Sequence, residues 1–297
     1  MTAYSYLRLT LCGLLFSALS FGQDLNLTEL MESDQPKEDK PARVEGTFYA
    51  TRIINGQSIE QLPAGILDLR ISHRFGLINE GLYSLFGLDN ASMRMGLDYG
   101  VTDRLMVGLG RSTFQKQVDA FFKYQFLSQT TNNTMPISMS FSSSIMLNTL
   151  KWENPNRKNL FSSRLYYAHQ LLIARKFSSA TSLQLMPTIV HYNLVPTSND
   201  PSDLFSIGIG GRQRITKRVS LNAEYYYQLP DSRFPNTRNS LSLGLDIETG
   251  GHVFQLHVTN SRGMTERTFI NETTGRWDKG DLLFGFNISR VFSLKRK

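Results

Sequence analysis

The sequence predicts an all-β chain, a transmembrane antiparallel up-and-down β-barrel of about twelve strands with both termini periplasmic. Three observations predict it. Apolar residues alternate with polar ones in segment after segment, as in Leu241-Ser-Leu-Gly-Leu-Asp-Ile247, so each strand has one greasy face and one wet face. Most of these segments approach the ~9–11 residues that a tilted membrane strand needs, whereas ordinary globular strands average ~5–6. Short and long connections mostly alternate, as for tight turns on one side of a membrane and loops on the other.

The elements follow in order. Residues 1–22 read as a cleaved signal peptide for Sec export: Arg8 is the single charge, an apolar run covers 9–19, and Ser20-Phe-Gly22 places small residues at the cleavage positions. Cys12, the only cysteine, would leave with this leader, so no disulfide, thiol nucleophile or thiolate metal site is expected in the mature chain. Residues 23–45, with the charged, proline-broken run Glu32-Ser-Asp-Gln-Pro-Lys-Glu-Asp-Lys-Pro41, read as a flexible periplasmic linker. Residues 46–297 form the barrel domain. It starts with a short strand-like piece over 46–54 and turns at Asn55-Gly56 and Pro63-Ala-Gly65.

Strands are expected at 65–75, 91–100, 104–111, 117–127, 136–148, 161–176, 180–192, 203–215, 218–229, 239–248, 252–261 and 281–292. Tight turns fall at 101–103, 177–179, 216–217 and 249–251, and long external loops at 76–90, 149–160, 193–202, 230–238 and 262–280. Two connections blur the rule: 112–116 is short for an external loop, and 128–135 is long for a turn.

One phase of the strands is apolar and should face lipid: Met93, Met95, Leu97 and Tyr99, for instance, or Val118, Ala120, Phe122, Tyr124 and Phe126. Aromatics near the strand ends would form interfacial girdles. The opposite phase carries Asp68, Arg70, Arg94, Asp98, Asp119, Lys123, Arg212, Arg214, Glu224, Asp246 and His257. These are the expected lumen-lining residues. Charges of both signs on neighbouring strands suit ion-paired ladders inside a narrow barrel, or a constriction that selects solutes by charge. Twelve strands lie between the filled eight-stranded barrel and the open channel of ~16–18 strands. A narrow pore and a lumen plugged by the segment before Gly65 are both compatible with that size.

The net charge of +7 falls by one when Arg8 leaves with the leader. In an exported chain such basicity suits a lumen or anionic headgroups, and no nucleic-acid partner is expected. None of the five histidines has metal-motif spacing with another His or a Glu, so neither metal nor cofactor is expected. His73, His169 and His191 share the lipid-facing phase, where a His beside a Ser could serve a lipid hydrolase, although no local motif supplies the Ser and an orienting group. Gly108-Leu-Gly110 and Gly208, Gly210 and Gly211 sit inside strands and suit bends or close contacts in a barrel wall better than a phosphate loop.

Five stretches carry a family resemblance: Ala50-Thr-Arg-Ile-Ile-Asn-Gly-Gln-Ser-Ile-Glu60, Leu67-Asp-Leu-Arg-Ile-Ser-His-Arg-Phe-Gly76, Phe86-Gly-Leu-Asp-Asn90, Met95-Gly-Leu-Asp-Tyr-Gly100 and Val107-Gly-Leu-Gly-Arg-Ser-Thr-Phe114. Through them the chain resembles an uncharacterised bacterial family of membrane-bound β-barrels. The resemblance implies a barrel in the outer membrane of a Gram-negative envelope and supplies no catalytic or ligand residues. The expected partners are outer-membrane lipids and, during biogenesis, the barrel-assembly machinery. The expected function is a porin-like passive pore for small polar solutes. The alternatives are a closed structural barrel that binds an envelope partner through loops 76–90 and 262–280, and a lipid-modifying enzyme.

Overall fold

In a computed structural model, which describes residues 42–152 and 154–294, the chain folds as a closed antiparallel barrel of twelve strands. The predicted leader with Cys12, and all but the last four residues of the predicted linker, lie outside the described residues. The strands are β1 (Ile66–Leu77), β2 (Ala91–Gly100), β3 (Leu105–Ser112), β4 (Gln117–Leu127), β5 (Ser138–Asn148), β6 (Leu165–Lys176), β7 (Thr181–Tyr192), β8 (Asp203–Arg214), β9 (Val219–Gln228), β10 (Ser240–Glu248), β11 (His252–Thr259) and β12 (Leu283–Ser293). Each pairs with its sequence neighbours. β12 closes the ring on β1, in a register running from Ile66 opposite Ser293 to Arg74 opposite Gly285. An even number of strands lets an antiparallel sheet close without an exposed edge. Both described chain ends sit at the mouth that carries the tight turns, where the Leu294 N–H donates to the Gly65 carbonyl at 2.9 Å.

Burial alternates along the strands and is unbroken through all twelve residues of β1. Leu97, Leu109, Phe122, Phe141, Ile145, Leu185, Ile209, Leu221, Leu243 and Leu256 project from the outer surface as an apolar belt. A belt running over nearly every strand is far larger than the patches of soluble monomers. No helix among the described residues is long and apolar enough to cross a membrane, so any crossing is made by the strands.

Three departures from the expected elements have physical causes. Phe161–Arg164 is a 3₁₀ turn rather than the start of β6, held by the Arg164 guanidinium stacked 3.7 Å from the Trp152 ring and bonded to the Asn148 carbonyl. The long connection after β4 lies at the tight-turn mouth because it carries the chain that precedes the barrel: the Val44 N–H donates to the Gln129 carbonyl at 2.8 Å, and Arg43 bridges Thr130. The last residues of the predicted linker are therefore anchored to the mouth. The third departure is at loop 262–280, which does not project outward as expected. Its centre, Arg267–Asn271, turns into the lumen and is fully buried.

Candidate functional site

The lumen is occupied by the chain itself. Residues 46–62 enter from the tight-turn mouth as a hairpin, with Asn55-Gly56 at its tip and the wall strand β1 beginning at its exit. Within the hairpin, the Ile53 N–H donates to the Gly56 carbonyl at 2.9 Å and the Ser58 N–H to the Thr51 carbonyl at 3.0 Å. The Glu60 carboxylate ties the two limbs together by accepting the Thr47 and Phe48 N–H groups at 2.6 and 3.0 Å. Phe48, Ile53 and Ile59 are buried, and pack in one cluster with Leu172, Met186 and Tyr226 of the wall. Inward glycines make the room: a Cβ on Gly210 would collide with Ile53, and one on Gly56 with the Tyr226 hydroxyl.

From the opposite mouth, loop 262–280 folds down to meet the hairpin. Phe269 and Ile270 join the same cluster, with Phe269 packed edge-to-face on Tyr226 at 5.1 Å between centroids. Arg267 stacks 3.8 Å from the Tyr166 ring and pairs with Glu272 at 2.7 Å. Burial works against the charge of Arg267, but Glu272 and the flanking tyrosines outweigh it and raise its pKa. Hairpin and loop are joined directly by the buried Arg52–Glu266 ion pair at 3.2 Å. Two apolar pieces of chain thus meet inside a polar wall, and they close the lumen from both sides.

The eleven charged or imidazole residues predicted from the alternating phase divide by what they touch. Three hold the hairpin directly. The Lys123 ammonium donates to the carbonyls of Ser58 and Glu60 at 2.9 and 2.6 Å, and more weakly to that of Thr51. The Glu224 carboxylate accepts the N–H groups of Ile54, Asn55 and Gly56 at 3.2, 2.8 and 3.0 Å. The Arg70 guanidinium donates to the Thr51 hydroxyl at 3.0 Å. Arg212 meets the hairpin through an aromatic face, 4.9 Å above the Tyr49 ring. Arg214 lies at the tight-turn mouth, on the wall of a cavity.

Four of the remaining six brace the wall, and the other two, Asp98 and His257, are buried among them. Arg94 and Asp119 form a two-pronged pair across β3, over the space left by Gly110. Asp68 accepts the Ser289 hydroxyl at 2.6 Å and faces Arg70 at 3.4 Å. Asp246 accepts the Gln255 amide at 3.0 Å. The Asp98 carboxylate is buried in the field of Arg70, Arg94 and Lys123, and the His257 ring is buried in the field of Arg74. Such pairing offsets the cost of burying charge, which is several kcal/mol per ion.

Sequence reasoning passed over several residues that complete the arrangement. Arg74 shares the phase of Asp68 and Arg70 and was legible from it; its guanidinium donates to Asn55 at 2.7 Å and Asn287 at 3.1 Å. The Gln255 and Asn287 amides donate to the carbonyls of Ile53 and Ile54 at 2.8 and 3.0 Å, again in the wet phase. Arg52, Glu266 and Tyr49 lie outside any strand, where no period marks them.

The three outward histidines sit against aromatics or at the rim. His73 stacks on Phe286, His169 on Phe141, and His191 bonds Asp203 at 2.7 Å near the long-loop mouth. The register sets Ser143 opposite His169 on the outer face, a neighbour that the linear sequence hides. Among the described residues no hydrogen bond joins the two. No group of three His, Cys, Asp or Glu among those residues is placed to hold a metal.

The model of the family described as "Membrane bound beta barrel domain (DUF5777)" matches residues 48–292. The chain belongs to this family. The match takes in the hairpin from Phe48 onward and the twelve strands as far as Phe292, so the plug falls within the family's own domain. No curated protein matches the chain. Among solved structures it is similar to the NanC porin (9% identity, 76% of this chain and 98% of that one, TM-score 0.46). It is similar to the KdgM porin at 8% identity, with 77% and 98% covered and a TM-score of 0.46. A variant of outer membrane phospholipase A from Escherichia coli matches at 9% identity, with 91% and 98% covered and a TM-score of 0.44. Likenesses this distant carry no conclusion about activity.

Proposed function

We propose that this family member is a porin-like barrel of the outer membrane whose lumen is closed at rest by its own chain, with the hairpin entering from the periplasmic side. Small polar solutes pass when the hairpin withdraws. The observation that carries this reading is the chemistry of the hairpin's fastenings. Nine of them are single hydrogen bonds between wall side chains and hairpin backbone, at Thr51, Ile53, Ile54, Asn55, Gly56, Gln57, Ser58 and Glu60. Water can replace bonds of this kind, and the emptied wall would present a charged, wettable channel.

Planar-bilayer recording tests it. Full-length protein should show long closed periods with sparse openings. Cysteines at Asn55 and Ser242, whose side chains bond at 3.0 Å, should abolish the openings when oxidised and restore them on reduction. A steady open conductance in the unmodified protein would refute the closed state.

A second reading, a permanently closed barrel that binds an envelope partner, is favoured by one feature. The loop after β1 exposes Leu82, Tyr83, Leu85, Phe86 and Leu88, with Tyr83 99% exposed. Silence of the reduced cysteine variant and of the loosened variants described below would select this reading.

A further inference from the structure

The tight-turn mouth holds a cavity of about 210 Å³ between the first limb of the hairpin and the ends of β6, β8, β10, β11 and β12. Four cationic side chains line it, namely Lys176, Arg212, Arg214 and Lys217, against the two carboxylates Glu45 and Glu248. The carboxylates have interactions of their own. The Lys176 ammonium donates to the Glu45 carbonyl at 2.6 Å, which fixes its position at the rim.

Arg212 is the informative residue. It is 3% exposed, and its Nε and Nη1 have no hydrogen-bond partner. Its one defined contact is the Tyr49 ring, which covers a flat face of the guanidinium and leaves the donor edge unused. The Tyr49 hydroxyl is turned away to the Lys217 carbonyl at 3.1 Å, and burial, partly opposed by Arg212 and Arg214, raises its pKa and keeps it neutral. Two carboxylates exert a field on Arg212 without a hydrogen bond to it: Glu60, taken up by the Thr47 and Phe48 N–H groups, and Asp246, which accepts the Gln255 amide. A buried guanidinium with free donors is costly unless something accepts from it. A phosphate or carboxylate matches its fork and would satisfy it.

We propose that this cavity is a binding site for an anionic group, a phosphate or a carboxylate. Arg212 supplies the bonds that orient the group, and Lys176, Arg214 and Lys217 supply the field that attracts it. The site is formed with the hairpin seated and does not require that the hairpin ever leave the lumen. The group has two possible sources, a soluble periplasmic anion or the headgroup of an anionic lipid at the rim.

Isothermal titration of full-length protein in phosphatidylcholine nanodiscs, with inorganic phosphate and with citrate as probes, tests the site. At least one probe should bind saturably, once per chain. Arg212→Gln should weaken binding at least tenfold. Lys217→Gln, on an exposed turn where folding is not at risk, should weaken it about threefold, with heat-modifiable gel mobility reporting an intact barrel. Repeating the titration in phosphatidylglycerol nanodiscs separates the sources: competition by the lipid assigns the headgroup, and unchanged binding assigns the soluble anion. Absence of saturable binding of both probes, or wild-type affinity in Lys217→Gln and in a folded Arg212→Gln, would overturn the proposal.

Discussion

Glu224→Gln is the sharpest perturbation of the plug, because it keeps the shape of the side chain and removes only its charge and one acceptor. The Glu224 carboxylate serves three hairpin N–H groups, two on one oxygen and the Asn55 N–H, at 2.8 Å, on the other. A glutamine can keep its oxygen toward Ile54 and Gly56, but its amide NH₂ then faces the Asn55 N–H, donor against donor. One charge-assisted bond is lost, worth ~1.5–3 kcal/mol, and a buried donor is left unsatisfied at ~1–3 kcal/mol. The two costs overlap, so the seated hairpin should lose ~2–4 kcal/mol, a shift of roughly 30- to 700-fold toward release at ~1.4 kcal/mol per tenfold. Amide hydrogen exchange followed by mass spectrometry on a peptide covering 50–59 reads this directly. The tip amides bond to Glu224 and to nothing else on the wall, so they exchange when the hairpin lifts. Exchange should accelerate by about that factor in Glu224→Gln, with strand peptides unchanged, and open probability in bilayers should rise with it. Tip amides that exchange at the wild-type rate would refute the claim that Glu224 seats the hairpin.

Other perturbations probe other parts of the same arrangement. Phe269→Ala removes a fully buried ring from the hairpin–loop cluster and should cost ~3–5 kcal/mol, read as a lower Tm by circular dichroism. Gly56→Val forces a side chain into the Tyr226 hydroxyl and should raise the open probability without unfolding the barrel, read by conductance alongside heat-modifiable mobility. Leu109→Arg, at an outward position 59% exposed, should destabilise the membrane-inserted barrel by ~2–4 kcal/mol if it lies near the midplane and leave the lumen closed, as measured by denaturant titration in lipid.

The wall was legible because strand alternation is a local signal. Met93 to Tyr99 and Val118 to Phe126 each declare a face without reference to anything distant, and tight turns carry Asp103 or the pair Gly250-Gly251. The lumen-facing charges followed from the same parity, which also marks Arg74, the one of them passed over. The plug was legible only as an alternative, a lumen closed by the segment before Gly65; its seating was not, because a hairpin inside a barrel owes its position to groups far away in sequence: Lys123, Glu224, Gln255 and Asn287. The turn at Asn55-Gly56 was visible, but which wall groups would hold it was not. Two signals pointed to it. Gly210 and Gly244 stand at wet-phase positions, where a close neighbour requires the loss of a side chain, and these neighbours are Ile53 and Ile54 of the hairpin. Phe269-Ile270 is an apolar pair in a polar loop, and it folds inward because the lumen offers Tyr226 and Ile53 to cover it. Lys176 and Lys217 lie at a strand end and in a turn, beyond the reach of any periodicity.

The hairpin's place in the chain also has a kinetic consequence. Closing the ring requires β1 to find β12 across the whole domain, the kind of distant encounter that makes β topologies slow to form. The hairpin is covalently next to β1, and its tip bonds residues 169, 202 and 233 positions away, on β9, β11 and β12. The last strands to emerge therefore meet a docked template beside β1 instead of searching for a bare edge. On this logic the same fastenings that stop the lumen also guide the seam shut, and Glu224→Gln should slow assembly of the barrel as well as loosen the finished one.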